Sequence, residues 1–205
     1  MTIKAIVFDI GGVLEITPDL GVNEKWEKIL HLKPGEFSER TKKVWHDGGI
    51  GLISLEEVHQ NLGEILSISQ ERVDQLMEDI WVEYLGTLNV QLADYFRSLR
   101  PQYQTAILSN SFVGAREREQ EAYHFDEICD FIIYSHEVGI RKPDPRIYSL
   151  TCERLSLQPA EVIFLDDREG AVDPACELGI HGILFKNTAQ AIADIEACIQ
   201  ANATK

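Results

Sequence analysis

No stretch of this chain stays apolar over the about 20 residues that a membrane-spanning helix requires. Its start carries neither the long apolar segment nor the small-residue cleavage site of a secretory signal. Cysteine is scarce and scattered. Cys129, Cys152, Cys176 and Cys198 form no C-x-x-C pair, which excludes the common zinc and redox motifs. All four are expected to be small buried hydrophobes in a reducing, cytoplasmic compartment. The 7 prolines and 14 glycines are too few for a flexible linker or a disordered tail. Positive charge is also short, with 19 Lys and Arg against 34 Asp and Glu and a formal net charge of −15. That field repels nucleic acid and anionic lipid, whose phosphates need clustered cations. It does not exclude a small phosphorylated substrate, provided a bound metal reverses the charge locally. The six histidines show no H-x-x-H or H-E-x-x-H spacing, so none is read as a metal ligand.

What the chain does contain is an alternation of two textures. Short apolar runs, rich in β-branched residues, occur at Ile3–Phe8, Thr105–Leu108, Phe131–Tyr134, Val162–Leu165 and Gly182–Phe185. Helical periodicity fills the intervals, as in Asn89–Arg100, where Leu92, Tyr95, Phe96 and Leu99 share a face. Such alternation predicts an α/β fold with about five buried parallel strands and crossover helices, a Rossmann-like three-layer core. From about Asp19 to Leu88 the patterns are helical only. Ser54-Leu-Glu-Glu57 reads as a capping box, and Ser69 opens a second apolar-periodic stretch. The expected division is a core of residues 1–15 and 89–205, interrupted by a helical cap at 16–88.

Ligands of open parallel sheets bind beyond the carboxyl ends of the strands. There the sequence places Asp9, Ser109-Asn110, Lys142 and Asp166-Asp167. Each alone reads as turn or capping material. Together they form a phosphate site. Converging carboxylates repel unless a cation is present, and oxygen donors suit Mg²⁺. A serine hydroxyl and a lysine can neutralise a phosphoryl group, and a carboxylate can attack it. The pair Gly11-Gly12 lets backbone approach the ion closely. The third glycine of a dinucleotide fingerprint is missing.

The segments Ile6-Val-Phe-Asp-Ile-Gly-Gly-Val-Leu14, Ile107-Leu-Ser-Asn110, Val138-Gly-Ile-Arg-Lys-Pro-Asp-Pro145 and Ile163-Phe-Leu-Asp-Asp167 resemble, in order, the four motifs of the haloacid dehalogenase-like hydrolases. The resemblance is to the branch with a helical cap after the first strand. It implies a Mg²⁺-dependent phosphatase. Asp9 would be nucleophile and metal ligand, joined in ligation by the Gly11 carbonyl, Asp167 and, directly or through water, Asp166. Ser109, Asn110, Lys142 and the Gly12 backbone would hold the phosphoryl group. Such phosphatases usually carry a second aspartate two residues after the nucleophile, as general acid and base. Gly11 stands there instead. The acid would then be borrowed from elsewhere, and Glu15 and Asp19 are the nearest candidates by sequence, though each reads first as a solvated linker carboxylate. A phosphosugar substrate is compatible with the branch, in a monomer or homodimer. Two further readings stay open: a 2-haloacid dehalogenase, against which the acidic pair argues, and a phosphate- or protein-binding module weakened by Gly11. In the cap, Trp45, His46 and Asp47 either face substrate or pack between helices.

Overall fold

The computed structural model describes residues 2–203. Its first half begins with β1 (Ala5–Phe8) and β2 (Glu15–Ile16), followed by helices α1 (Val22–Ile29), α2 (Glu36–Gly49), α3 (Leu55–Leu66) and α4 (Gln70–Leu85). The chain continues through β3 (Thr87–Leu88), α5 (Val90–Leu99), β4 (Gln104–Ser109), α6 (Ala115–Tyr123), α7 (Phe125–Ile128) and β5 (Phe131–Tyr134). It closes with α8 (Ser135–Val138), α9 (Pro145–Leu155), β6 (Val162–Asp166), α10 (Glu169–Glu177), β7 (His181–Leu184) and α11 (Thr188–Ala203). Among the described residues no helix is long and apolar enough to cross a membrane.

Five strands form one parallel sheet in the order β5-β4-β1-β6-β7, with β1 at the centre. They are the five apolar runs, shifted by a residue or two at their ends. Side chains alternate across the sheet. Ile6 and Phe8 point into a core layer shared with Leu92 and Phe96 of α5 and Ile195 of α11. Ala5 and Val7 point into the opposite layer, against Ile147 and Tyr148 of α9 and Ala171 and Ala175 of α10. The sheet is thus covered on both faces, which is why its strands carry no polar alternation. At its centre the Phe8 and Phe96 rings stack with centroids 4.3 Å apart.

Helices α1–α4 build most of a third apolar cluster, around Trp26, Phe37, Leu62, Leu76 and Trp81, which Ala115 of α6 joins. The capping box at Ser54 is present: its side chain accepts from the Glu57 backbone, and Glu57 returns a bond to the Ser54 backbone. One feature departs from the sequence reading. β2 and β3 pair antiparallel at the two crossings between sheet and helices, Glu15 opposite Leu88 and Ile16 opposite Thr87. Two-residue strands are too short for alternation to register. Cys129 and Cys152 are buried, but Cys198 is half-buried and Cys176 is exposed, contrary to expectation. The buried stripe of α10 is Ala171, Val172 and Ala175, and Cys176 falls one position off it.

Replacing Phe96 by alanine removes the partner of Phe8 and leaves a cavity beneath β1. The expected loss is about 3–5 kcal/mol, read as a lowered denaturation midpoint at unchanged slope.

Candidate active site

The central position of β1 decides where its last residues emerge. Asp9 leaves the sheet between the ends of β4 and β6, and its backbone N–H still donates to the Leu165 carbonyl (2.9 Å). Lys142, buried to 4 % exposure, reaches this junction from the loop after α8. Its ammonium has three protons, and all three are used. Nζ donates to the Leu108 carbonyl (2.9 Å) and to Asp166 Oδ2 (2.6 Å), and it pairs with Asp9 Oδ1 at 2.8 Å. Asn110 fixes the backbone from which Lys142 springs. Its Nδ2 donates to the Lys142 carbonyl (2.8 Å), and its Oδ1 accepts from the Lys142 N–H (2.7 Å). Both ends of that amide are thereby occupied.

Asp9, Asp166 and Asp167 each bring a carboxylate oxygen within 4.8 Å of the others. Burial pushes the Asp9 carboxyl up to about 7, with Lys142 opposing and Asp166 adding to the rise. Asp167 is raised as well, by partial burial and by Asp166. Asp166 has both oxygens engaged, since Oδ1 accepts from the Arg168 N–H at 2.9 Å. Asp167 is exposed and freer to take a ligand. The turn that carries Asp9 past the sheet needs a positive φ (+76°) at Gly12, where a Cβ would collide with the Asp167 carboxylate. Gly12 therefore keeps the space between the two carboxylate-bearing loops clear. The cavity above them, about 550 Å³, is lined by Asp9, Gly11, Asn110, Arg141, Asp166 and Asp167.

Ser109, buried at the end of β4, faces an adjoining cavity of about 450 Å³ together with Gly11, Glu15, Tyr84 and Asn110. Here one expectation fails. Glu15 is not a solvated linker residue: it is 1 % exposed, and its Oε1 has no hydrogen-bond partner among the described residues. The β2–β3 pairing turns it inward, a fold-level cause that the linker-like sequence does not reveal. Burial, the Glu119 carboxylate and the Asp9 carboxylate push its carboxyl up to about 10. Asp19 is exposed, as expected.

Glu119 carries no sequence signal, because it lies in the strongly polar helix α6 and reads as surface. It is fully buried, with its carboxyl raised to about 7 by burial against the pull of its hydrogen bonds. Those bonds come from the Tyr84 hydroxyl (3.1 Å) and the Tyr134 hydroxyl. A third cavity, about 680 Å³, is walled by Trp45, Trp81, Tyr84 and Phe112, with His46 and Arg141 at its border. Trp45 does both things considered for it, packing on Phe112 at 5.5 Å while lining this space. Asp47 turns away into an ion pair with Lys43.

The sequence pattern of haloacid dehalogenase-like hydrolases matches residues 3–174. The chain is 26% identical to a D-ribitol-5-phosphate phosphatase of Bacteroides thetaiotaomicron, over 91% of this chain and 94% of that protein. It is 34% identical to bifunctional epoxide hydrolase 2 of Mus musculus over 96% of its length, yet it spans only 39% of that larger protein. A crystal structure of a HAD family enzyme from Bacteroides thetaiotaomicron, in complex with magnesium and inorganic phosphate, shares the fold. Its TM-score is 0.76 at 24% identity, covering 90% of this chain and 94% of that one. With its parallel sheet and the four motifs at the strand ends, the chain belongs to the haloacid dehalogenase-like hydrolases.

Proposed function

We propose that this chain is a Mg²⁺-dependent phosphomonoesterase acting on a small phosphorylated metabolite through an aspartyl-phosphate at Asp9. The carrying observation is a charge imbalance. Three carboxylates meet within 4.8 Å, and one ammonium lies among them. A hard divalent cation with oxygen ligands fits that donor set. Asp9 and Asp167 would hold it with the Gly11 carbonyl, and Asp166, its oxygens already engaged, would act through water. Bound there, the ion would neutralise the phosphoryl oxygens and draw the substrate against the −15 field.

The chain's own residues divide the remaining work. Asp9 Oδ attacks phosphorus as the bond to the leaving oxygen breaks, and water later cleaves the acyl phosphate to release inorganic phosphate and the carboxylate. Lys142 holds Asp9 in line and opposes the rise that burial gives its carboxyl. Ser109 donates to the phosphoryl group, and Asn110 acts by fixing the Lys142 backbone as much as by touching substrate. The leaving group extends toward the aromatic-walled cavity, where Arg141 borders both spaces. Helices within residues 16–88 close over it as a cap and exclude water. Similarity to a D-ribitol-5-phosphate phosphatase supports a phosphosugar or polyol phosphate. The carboxylate cluster supports phosphorus rather than carbon–halogen chemistry.

Three outcomes are expected. Hydrolysis of 4-nitrophenyl phosphate should require Mg²⁺, vanish in EDTA, and fall roughly 10³-fold or more in Asp9→Asn. Equal rates with and without EDTA would remove the metal from this reading. Gly12→Ala, which forces a Cβ against Asp167, should weaken Mg²⁺ binding, measured by calorimetry on the folded variant. The third outcome concerns the metal-free protein. Asp9 and Glu119, raised to about 7, and Glu15, raised to about 10, hold their protons more tightly folded than unfolded. Stability must then fall as pH rises from the ordinary carboxylate range near 4 through about 7. The Tm without metal should accordingly be lower at about pH 7.5 than at about pH 5.5, and Mg²⁺ should narrow the gap by favouring ionised Asp9.

A further inference from the structure

We propose that Glu15, presented from β2 to the cavity that Gly11 also borders, is the general acid and base of this site. The inference rests on the phosphatase reading above and names the group that protonates the leaving oxygen. Backbone geometry brings Glu15 back to the site: its N–H donates to the Ile10 carbonyl (2.9 Å), and its carbonyl accepts from the Gly12 N–H (2.8 Å). A Cβ on Gly11 would enter open space, and Glu15 lines a cavity that Gly11 also borders, beside Ser109 and Asn110. That cavity shares Gly11, Thr17 and Asn110 with the one holding Asp9, Asp166 and Asp167.

A structural role does not account for the side chain. Glu15 is 1 % exposed, and among the described residues its Oε1 finds no hydrogen-bond partner. The charges acting on it are those of Glu119 and Asp9, both carboxylates. Glu119 is committed, because the Tyr84 and Tyr134 hydroxyls donate to its two oxygens. Glu15 is the buried carboxyl left free to move a proton. As Asp9 attacks phosphorus and the P–O bond to the leaving group breaks, the Glu15 proton passes to the departing alkoxide, which leaves as an alcohol. The Glu15 carboxylate then takes a proton from the water that attacks the aspartyl-phosphate. Inorganic phosphate departs, Asp9 is regenerated, and Glu15 is protonated again.

The test compares kcat/KM for 4-nitrophenyl phosphate, whose leaving group needs no proton, with that for the alkyl phosphate the wild-type chain hydrolyses fastest. In Glu15→Gln the alkyl value should fall about 10²–10³-fold, while the aryl value changes by less than about tenfold. Gly11→Asp should restore alkyl kcat/KM at least about tenfold in Glu15→Gln, by supplying a carboxyl from the vacant position. Equal losses on both esters, or no loss on either, would overturn the proposal, since a residue serving the fold alone moves both together. Should Glu15→Gln not fold, Glu15→Asp keeps the acid but withdraws it by one methylene, and the same selective alkyl loss is expected. A wild-type chain that hydrolyses only the aryl ester overturns the role of Glu15 and leaves the phosphatase reading standing. One that hydrolyses neither ester with Mg²⁺ overturns both.

Discussion

The buried ammonium of Lys142 is the interaction on which the rest of the site depends. Its three protons go to the last turn of backbone in β4, to the carboxylate that follows β1 and to the one that ends β6. Three neighbouring strands are tied at their carboxyl ends by a single side chain. Without it, Asp9 and Asp166 would be two buried negative charges with no counter-charge, a state that buried groups avoid at a cost of several kcal/mol. The Lys142 ring contact adds to the fit, with Nζ 5.4 Å from the Phe164 centroid. Asn110 completes the arrangement by clamping the Lys142 backbone from both sides. The geometry that presents Asp9 to a ligand is therefore the geometry that keeps the sheet edge electrically tolerable.

On the other side of Asp9 the balance is different. Among the described residues neither Glu15 nor Glu119 is ion-paired with a lysine or arginine, and only the Arg116 guanidinium acts on Glu119 from a distance. Glu119 is supported by two tyrosine hydroxyls, one from α4 and one from β5, and so joins the inserted helices to the sheet. Glu15 has no such support. Proteins tend to concentrate such destabilising arrangements where chemistry requires them, and to offset them elsewhere. Here the offset is visible in the stacked Phe8 and Phe96 rings and the two fully buried layers of the sheet.

Much of this was legible in the chain before any coordinates. Parallel strands buried on both faces must be apolar throughout, so Ile3–Phe8 and Val162–Leu165 announced themselves. Polar residues that end such runs are confined to one edge of the sheet, so Asp9, Ser109 and Asp166 could be placed together from sequence alone. Other features were hidden for definite reasons. Glu15 sits in a stretch that looks like a solvated hinge, and only the pairing of β2 with β3 turns it inward. Glu119 belongs to a helix whose composition reads as surface, and its burial follows from where α6 packs. The full use of the Lys142 donors and of both ends of the Asn110 amide is a matter of ångströms. Residue order does not encode that directly.

The two adjacent glycines after Asp9 have opposite freedoms. At Gly12 the positive φ and the nearby Asp167 carboxylate leave room for hydrogen alone, whereas at Gly11 a side chain would enter open space. Every glycine codon lies one base change from an acidic residue. Position 12 is thus nearly closed to variation, while position 11 stands one mutational step from gaining a carboxylate. Residue 11 can therefore gain an acidic side chain without disturbing the turn that holds Asp9.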